Sequence, residues 1–235
     1  MVDESDPDLR DQPQTVHAFQ TAERLRRARL SARPVRSVFG EEEWNQLPAR
    51  ARAAYQEGDG TLGALYGAEM DAWLPLVGLI HDCGKILGVT GELPQWAIVG
   101  DTFPVGCAFD PANLFYEKNF WRENPDWSLD TSPHCDPLGM YARHVGLDRL
   151  LMSWGHDEYM AAVLERHPRA RLPPEAVYVV RFHSFYPWHT PRSAGPGGRR
   201  GYAALASDED WRRLPLLKAF QQCDLYSKGD APPRV

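Results

Sequence analysis

The sequence predicts an all-α fold. Apolar residues recur at helical spacing in several long segments, proline and glycine signals bound those segments, and no alternating strand pattern competes with them. The opening stretch, Asp3 to Gln14, is polar and holds two prolines, so it is not a regular helix throughout. A helix is expected from Thr15, an acceptable N-cap, carrying His17, Phe19, Ala22 and Leu25 into an Arg-rich end. Residues 26–71 are rich in Arg, Ala, Gly and Glu, with weak periodicity and glycines at 58, 60, 63 and 67; they read as an inserted, partly disordered excursion. In the next helix Leu76, Leu79, Ile80, Cys83 and Leu87 form the expected buried stripe, and His81 shares a face with Lys85, with Asp82 one step round. From Thr90 to Pro137 the density of Gly, Pro, Asn and aromatics predicts a long ordered loop region with at most short helices. A helix is expected over 147–166, with Leu147, Leu150, Leu151 and Trp154 facing inward ahead of His156. Pro173-Pro174-Glu175 starts another, running from Ala176 to Phe185 until Pro187 stops it. The stretch 194–201 is Gly- and Arg-rich and is expected to be mobile. The last helix spans 208–227, with Leu217, Phe220 and Asp224 on one face.

Bulk properties narrow the function. At 235 residues the chain is long enough for one sizeable core, and a single domain over 1–235 is the expectation. The formal charge of -6 argues against nucleic acid or an anionic membrane as a partner. No apolar run is expected to reach the length of a membrane helix. The acidic start, Met1-Val2-Asp3-Glu4-Ser5-Asp6, lacks the regions of a signal peptide. Cys83, Cys107, Cys135 and Cys223 are far apart and form no CxxC pair, which reads as reduced thiols in a cytoplasmic protein.

Six residues read as metal ligands: His17, His81, Asp82, His156, His183 and Asp224. Imidazoles with carboxylates suit iron, manganese or zinc. Four His and two Asp exceed what one tetrahedral ion takes, so two ions sharing a bridging carboxylate is the natural arrangement. A lone His on an apolar face is more often a hydrogen-bonded core residue, and His134, His144, His167 and His189 are read that way. Adjacent His81 and Asp82 in an apolar segment differ, because a buried carboxylate is costly without a compensating cation. Asp224, inward on the last helix, makes the same demand. Lys85 reads on composition as a solvent-facing lysine; its place on the His81 face aims it instead into the metal pocket.

His17, His81-Asp82 and Asp224 together match the H…HD…D signature of the HD-domain superfamily, an all-helical metal-binding fold used mostly by phosphohydrolases. The surrounding words are more specific. Asp3 through Asp8 (DESDPD), His17 through Glu23 (HAFQTAE), Pro94 through Cys107 (PQWAIVGDTFPVGC), Leu147 through Tyr159 (LDRLLMSWGHDEY) and Arg181 through His189 (RFHSFYPWH) resemble the inositol oxygenase family. The resemblance implies an HD-like helical bundle around two iron ions in a mixed-valent Fe(II)/Fe(III) state. It implies that myo-inositol and O2 are converted to D-glucuronate. His17, His81, Asp82 and Asp224 are then expected on one iron, with Asp82 bridging to a second that His156 and His183 complete. Asp3, Glu4, Ser5, Lys85, Gly100, Asp101, His183 and Ser184 are expected to line the substrate site, Lys85 and Asp82 serving the chemistry. The expected partners are the small polyol and O2, with no nucleic acid or membrane, in a cytoplasmic monomer. Against the family pattern the expectation is a chain that starts at the Asp3 segment without the preceding region that supplies a substrate-contacting arginine and part of the lid, that stops soon after Asp224, and that carries 26–71 as an insertion. An HD-type phosphohydrolase, or a shortened metal-binding relative without turnover, is the alternative reading.

Overall fold

The computed structural model describes residues 13–90, 95–99, 102–114, 116–118, 120–128, 134–190 and 200–227. The fold is all-α. In chain order the α-helices are α1 (Gln14–Ala28), α2 (Glu41–Gln46), α3 (Ala49–Ala54), α4 (Leu62–Tyr66), α5 (Met70–Ile80), α6 (Leu87–Thr90), α7 (Gln95–Val99), α8 (His156–Arg166), α9 (Pro174–Phe182), α10 (Tyr186–His189) and α11 (Asp208–Ser227). Strand-like pairing among the described residues is limited to the isolated bridges Pro34–Thr61 and Pro104–Met152. Two compact units emerge: one gathers residues up to 100, 154–183 and those from 215 on, the other 101–153 and 184–214.

The first unit is organised by α1 packed against α5. Helix α1 begins at Gln14, one residue before the expected Thr15, and buries His17, Gln20, Thr21 and Leu25. The buried stripe of α5 is Met70, Leu74, Val77 and Gly78, which corrects the expected Leu76-centred stripe; Leu76 and Cys83 are exposed. The segment is apolar on more than one side, so periodicity alone did not select the face that meets α1. Gly78 makes that contact close: a Cβ there would lie 3.0 Å from Ala22 backbone atoms and 2.7 Å from Leu25 Cδ1. After Ile80 the chain tightens into a 3-10 turn, His81–Ile86, that carries His81, Asp82 and Lys85 before α6 follows. The run Met70–Thr90 is long and apolar enough to cross a membrane by length and composition. That corrects the expectation that no run approaches this length, although the run buries His81 and Asp82 at its centre.

Residues 26–71 are more ordered than their composition suggests. Two 3-10 turns, Leu30–Ala32 and Val35–Val38, and helices α2 to α4 surround buried Val35, Val38, Leu47, Tyr55, Leu62 and Leu65. Phe39 stacks on Tyr55 at 5.7 Å. Arg33 donates to Gln222 Oε1 at 2.6 Å, Gln222 donates to the Val38 carbonyl, and Lys218 pairs with Glu43 at 2.9 Å, so the segment is fastened to α11. Elements of three to six residues are too short to display a period, and tertiary packing stabilises them.

Helix α8 starts at His156, not near Leu147. Residues 147–149 form only a 3-10 turn, and Leu151 and Trp154 are exposed where inward positions were expected. Gly155 is extended (φ -111°, ψ -173°), which delays the helix, and Asp157 and Glu158 occupy its first turn, where carboxylates suit the helix dipole. Helix α9 starts at Pro174 as expected and ends at Phe182, three residues short of Phe185. Helix α11 follows expectation, with Leu217, Phe220 and Asp224 all buried.

In the second unit, Asp210 Oδ2 accepts from the Leu147 and Ser207 amides and from Ser207 Oγ. Tyr202 Oη accepts from the Asp110 amide and meets the Asn113 side chain. Of the stretch 194–201 expected to be mobile, the described residues Arg200 and Gly201 are buried, with the Arg200 guanidinium beside the Trp188 and Trp211 rings.

Candidate metal centre

The six predicted ligand residues come together within the first unit, all buried. They meet around Asp82, and its two carboxylate oxygens face different partners. Oδ2 lies 2.9 Å from Lys85 Nζ, 3.6 Å from His81 Nε2 and 3.7 Å from His17 Nε2. Oδ1 lies 3.3 Å from His156 Nε2 and 3.5 Å from His183 Nε2. Asp224 Oδ1 closes the Oδ2 side, 2.8 Å from His17 Nε2 and 3.3 Å from His81 Nε2. Two groups have ligand atoms within 4.8 Å of one another: His17, His81 and Asp224, and His81, Asp82 and His183.

The ring orientations follow from backbone carbonyls. His81 Nδ1 lies 2.8 Å from the Gly78 carbonyl, His156 Nδ1 2.8 Å from that of Ile98, and His183 Nδ1 2.8 Å from that of Val180. A carbonyl only accepts, so each Nδ1 carries a hydrogen and Nε2 is the atom turned toward Asp82: protonated it donates to a carboxylate oxygen, deprotonated it offers a lone pair to a cation. His156 Nε2 and His183 Nε2 then face each other at 3.1 Å. Two lone pairs at that distance repel unless a proton or a cation lies against them. His81 Nε2, fully buried, makes no well-formed hydrogen bond. Carbonyl-oriented imidazoles around a shared carboxylate are the donor set and outer support of a metal site, and the residues fit one.

The charges are balanced on the same terms. Burial opposes ionisation of Asp82, yet His81 and Lys85, with hydrogen bonds from His156 and His183, hold it well below the carboxylate range. Burial likewise opposes Asp224, which His81 and His17 hold well below that range. His81 and His156 are raised despite their burial, His81 by Asp82 and Asp224, His156 chiefly by Asp82. Burial pushes His183 down, and the neighbouring His81 and His156 add to it.

Close approach at two glycines assembles the site. Gly78 brings α1 to α5, so the His17 and His81 rings meet edge-on at 5.4 Å. At Gly84 a Cβ would stand 1.8 Å from the His156 carbonyl oxygen, so only glycine lets the His81–Asp82 turn lie against the start of α8. Phe220 packs edge-on to His81 at 5.4 Å. The sequence shows Gly84 in the word His-Asp-x-Gly-Lys but not its packing against His156. Sequence reading missed the ion pair between Glu158 and Arg181, whose spacing carries no signal.

Lys85 turns toward Asp82 rather than solvent. Ser184 is buried directly after His183. Asp3, Glu4, Ser5, Gly100 and Asp101, expected at the substrate, lie outside the described residues. His134, His144, His167 and His189 are not in the cluster. His144 Nδ1 bonds the Ala206 carbonyl and His189 Nδ1 the Thr190 hydroxyl.

A helical chain that sets four histidines and a second aspartate around the Asp82 carboxylate is a protein with a candidate carboxylate–histidine metal centre. A family model described as myo-inositol oxygenase matches residues 60–235. Across the whole chain it is 43% identical to the inositol oxygenase of Homo sapiens, 38% to that of Danio rerio and 37% to that of Dictyostelium discoideum. The chain belongs to the myo-inositol oxygenase family. It spans 64% of the length of the human and Dictyostelium relatives and 66% of the zebrafish one.

Proposed function

We propose that the protein is an inositol oxygenase, an oxidoreductase of inositol catabolism that converts myo-inositol and O2 to D-glucuronate in a four-electron oxidation. The observation that carries the reading is the division of Asp82: its two oxygens face two separate sets of imidazoles. His17, His81, Asp82 and Asp224 would hold one iron, and Asp82, His156 and His183 the second. When bound, the iron pair supplies Lewis acidity toward substrate hydroxyls and, in a mixed-valent state, the capacity to activate O2.

The chain's own residues supply the rest. A polyol carries no charge, so binding rests on several polar contacts in a fixed arrangement. Lys85, anchored on Asp82 Oδ2, directs its ammonium at substrate hydroxyls and stabilises negative charge as a proton leaves one of them. His183 and Ser184, with Asp3, Glu4, Ser5, Gly100 and Asp101, complete the proposed substrate contacts. The chain is read as one catalytic domain in which 26–71 is an insertion, acting as a cytoplasmic monomer; the four free cysteines support a reducing compartment.

The test is anaerobic reconstitution with Fe(II), partial oxidation, and assay for glucuronate from myo-inositol. Glucuronate formation that depends on O2 and iron is expected. Two irons per chain with a mixed-valent EPR signal and no glucuronate would refute turnover by this chain. Phosphate release from nucleotides with Mn(II), without O2, would move it to the phosphohydrolases.

A further inference from the structure

We propose that the Glu158–Arg181 ion pair is a positioning clamp for the second metal ion, fixing the distance between His156 and His183. The inference rests on the two-ion reading of the centre. Arg181 Nε donates to Glu158 Oε2 at 2.6 Å and Nη2 to Glu158 Oε1 at 3.0 Å, a two-pronged pair of the geometry that only arginine offers a carboxylate. Arg181 is 12% and Glu158 19% exposed, so water screens the pair weakly.

Its place in the fold gives it a function. Glu158 is two residues after His156 in the first turn of α8, and Arg181 two residues before His183 in the last turn of α9. Helices α8 and α9 pack together. The pair therefore ties the start of one helix to the end of the other, next to the two imidazoles whose Nε2 atoms are 3.1 Å apart. Each partner also has the sign that its helix end favours. Of the six ligand residues, His156 lies on α8 and His183 directly follows α9, so release of the clamp acts first on the His156–His183 separation.

A comparable pair provides the control. Lys218 and Glu43, 10% and 15% exposed, join α11 to the 26–71 segment and flank neither His156 nor His183. The experiment titrates Fe(II) anaerobically into the full chain and into Glu158→Gln, Arg181→Lys and Glu43→Gln. Circular dichroism checks the fold, iron per chain the stoichiometry, and EPR after partial oxidation the coupling of the two ions. Glu158→Gln and Arg181→Lys are expected to bind the second ion at least about tenfold more weakly, within the range for supporting residues, and to lose the coupled signal. Glu43→Gln is expected to lose stability and keep both ions. Two ions with the parent affinity and signal in Glu158→Gln would overturn the clamp, as would equal loss of the second ion in Glu43→Gln. If Glu158→Gln does not fold, Arg181→Lys alone decides by the same criteria. Fewer than two ions in the parent chain would overturn the two-ion reading itself, and the clamp with it.

Discussion

Replacing Gly84 with alanine tests whether the site is assembled by backbone approach. In an unconstrained helical position the change would stabilise the protein by about 0.4–1 kcal/mol, because alanine has less unfolded-state entropy to lose. Here the new Cβ would stand 1.8 Å from the His156 carbonyl oxygen, 2.6 Å from its carbon and 2.9 Å from its Cα. All three are backbone atoms at the start of α8 and cannot rotate aside. The turn must retreat by roughly 1.2 Å to reach the 3.0 Å that Cβ contacts essentially never undercut. The His156 Nε2–Asp82 Oδ1 distance of 3.3 Å widens with it, well beyond the roughly 0.5 Å tolerance of a functional constellation. Overpacking costs about 1–3 kcal/mol, and an unyielding neighbour puts this case at the upper end. At about 2–4 °C per kcal/mol for a chain of this size, the melting temperature should fall by roughly 5–10 °C. Thermal unfolding followed by circular dichroism, with iron counted per chain, makes the measurement. A melting temperature at or above the parent's, with both ions retained, would refute the reasoning.

Three further outcomes follow from the same geometry. Raised histidines stabilise the fold below their unfolded pKa of about 6.5 and lose that contribution as pH rises through the folded value; lowered carboxylates, and the lowered His183, lose theirs as pH falls through the folded value. The metal-free protein, with His81 and His156 raised and Asp82 and Asp224 lowered, should therefore weaken above neutrality and again in acid. A bound cation replaces the imidazolium protons, so metal should flatten the alkaline limb in urea unfolding across pH; identical limbs with and without metal would count against it. Lys85→Ala should abolish glucuronate formation while both irons stay bound, and unchanged turnover would remove Lys85 from its role. His183→Ala should release one ion whereas Asp82→Asn weakens both, read as iron per chain; equal effects would contradict Asp82 as a bridge.

The sequence made the ligand types legible but not the surfaces that bring them together. His81-Asp82 stood out because a carboxylate in an apolar helix demands compensation, and Asp224 because it falls in register with Leu217 and Phe220. The face of α5 is ambiguous in the sequence because Leu76, Leu79 and Ile80 are as apolar as Leu74 and Val77, and the close approach of α1 at Gly78 decides between them. The start of α8 is hidden in the sequence because Leu147, Leu150 and Leu151 imitate a helical period that Gly155 interrupts. The core of 26–71 was invisible because its elements are shorter than the period that would reveal them.

The ring orientations show where local code ends. His81 and His183 each follow the last residue of a helix, and each bonds the carbonyl three residues back. The last four carbonyls of a helix have no amide partner within it, so a histidine at that boundary finds an acceptor in its own chain and turns Nε2 past the helix end. Both rings are aimed by sequence-local contacts that require no ion. His156 opens its helix, where no carbonyl is spare, and takes its acceptor from Ile98, 58 residues away. Its placement depends on α7, on Gly84 and on the grip between α8 and α9. Perturbations of the tertiary structure should therefore release the His156 side of the centre before the His81 side.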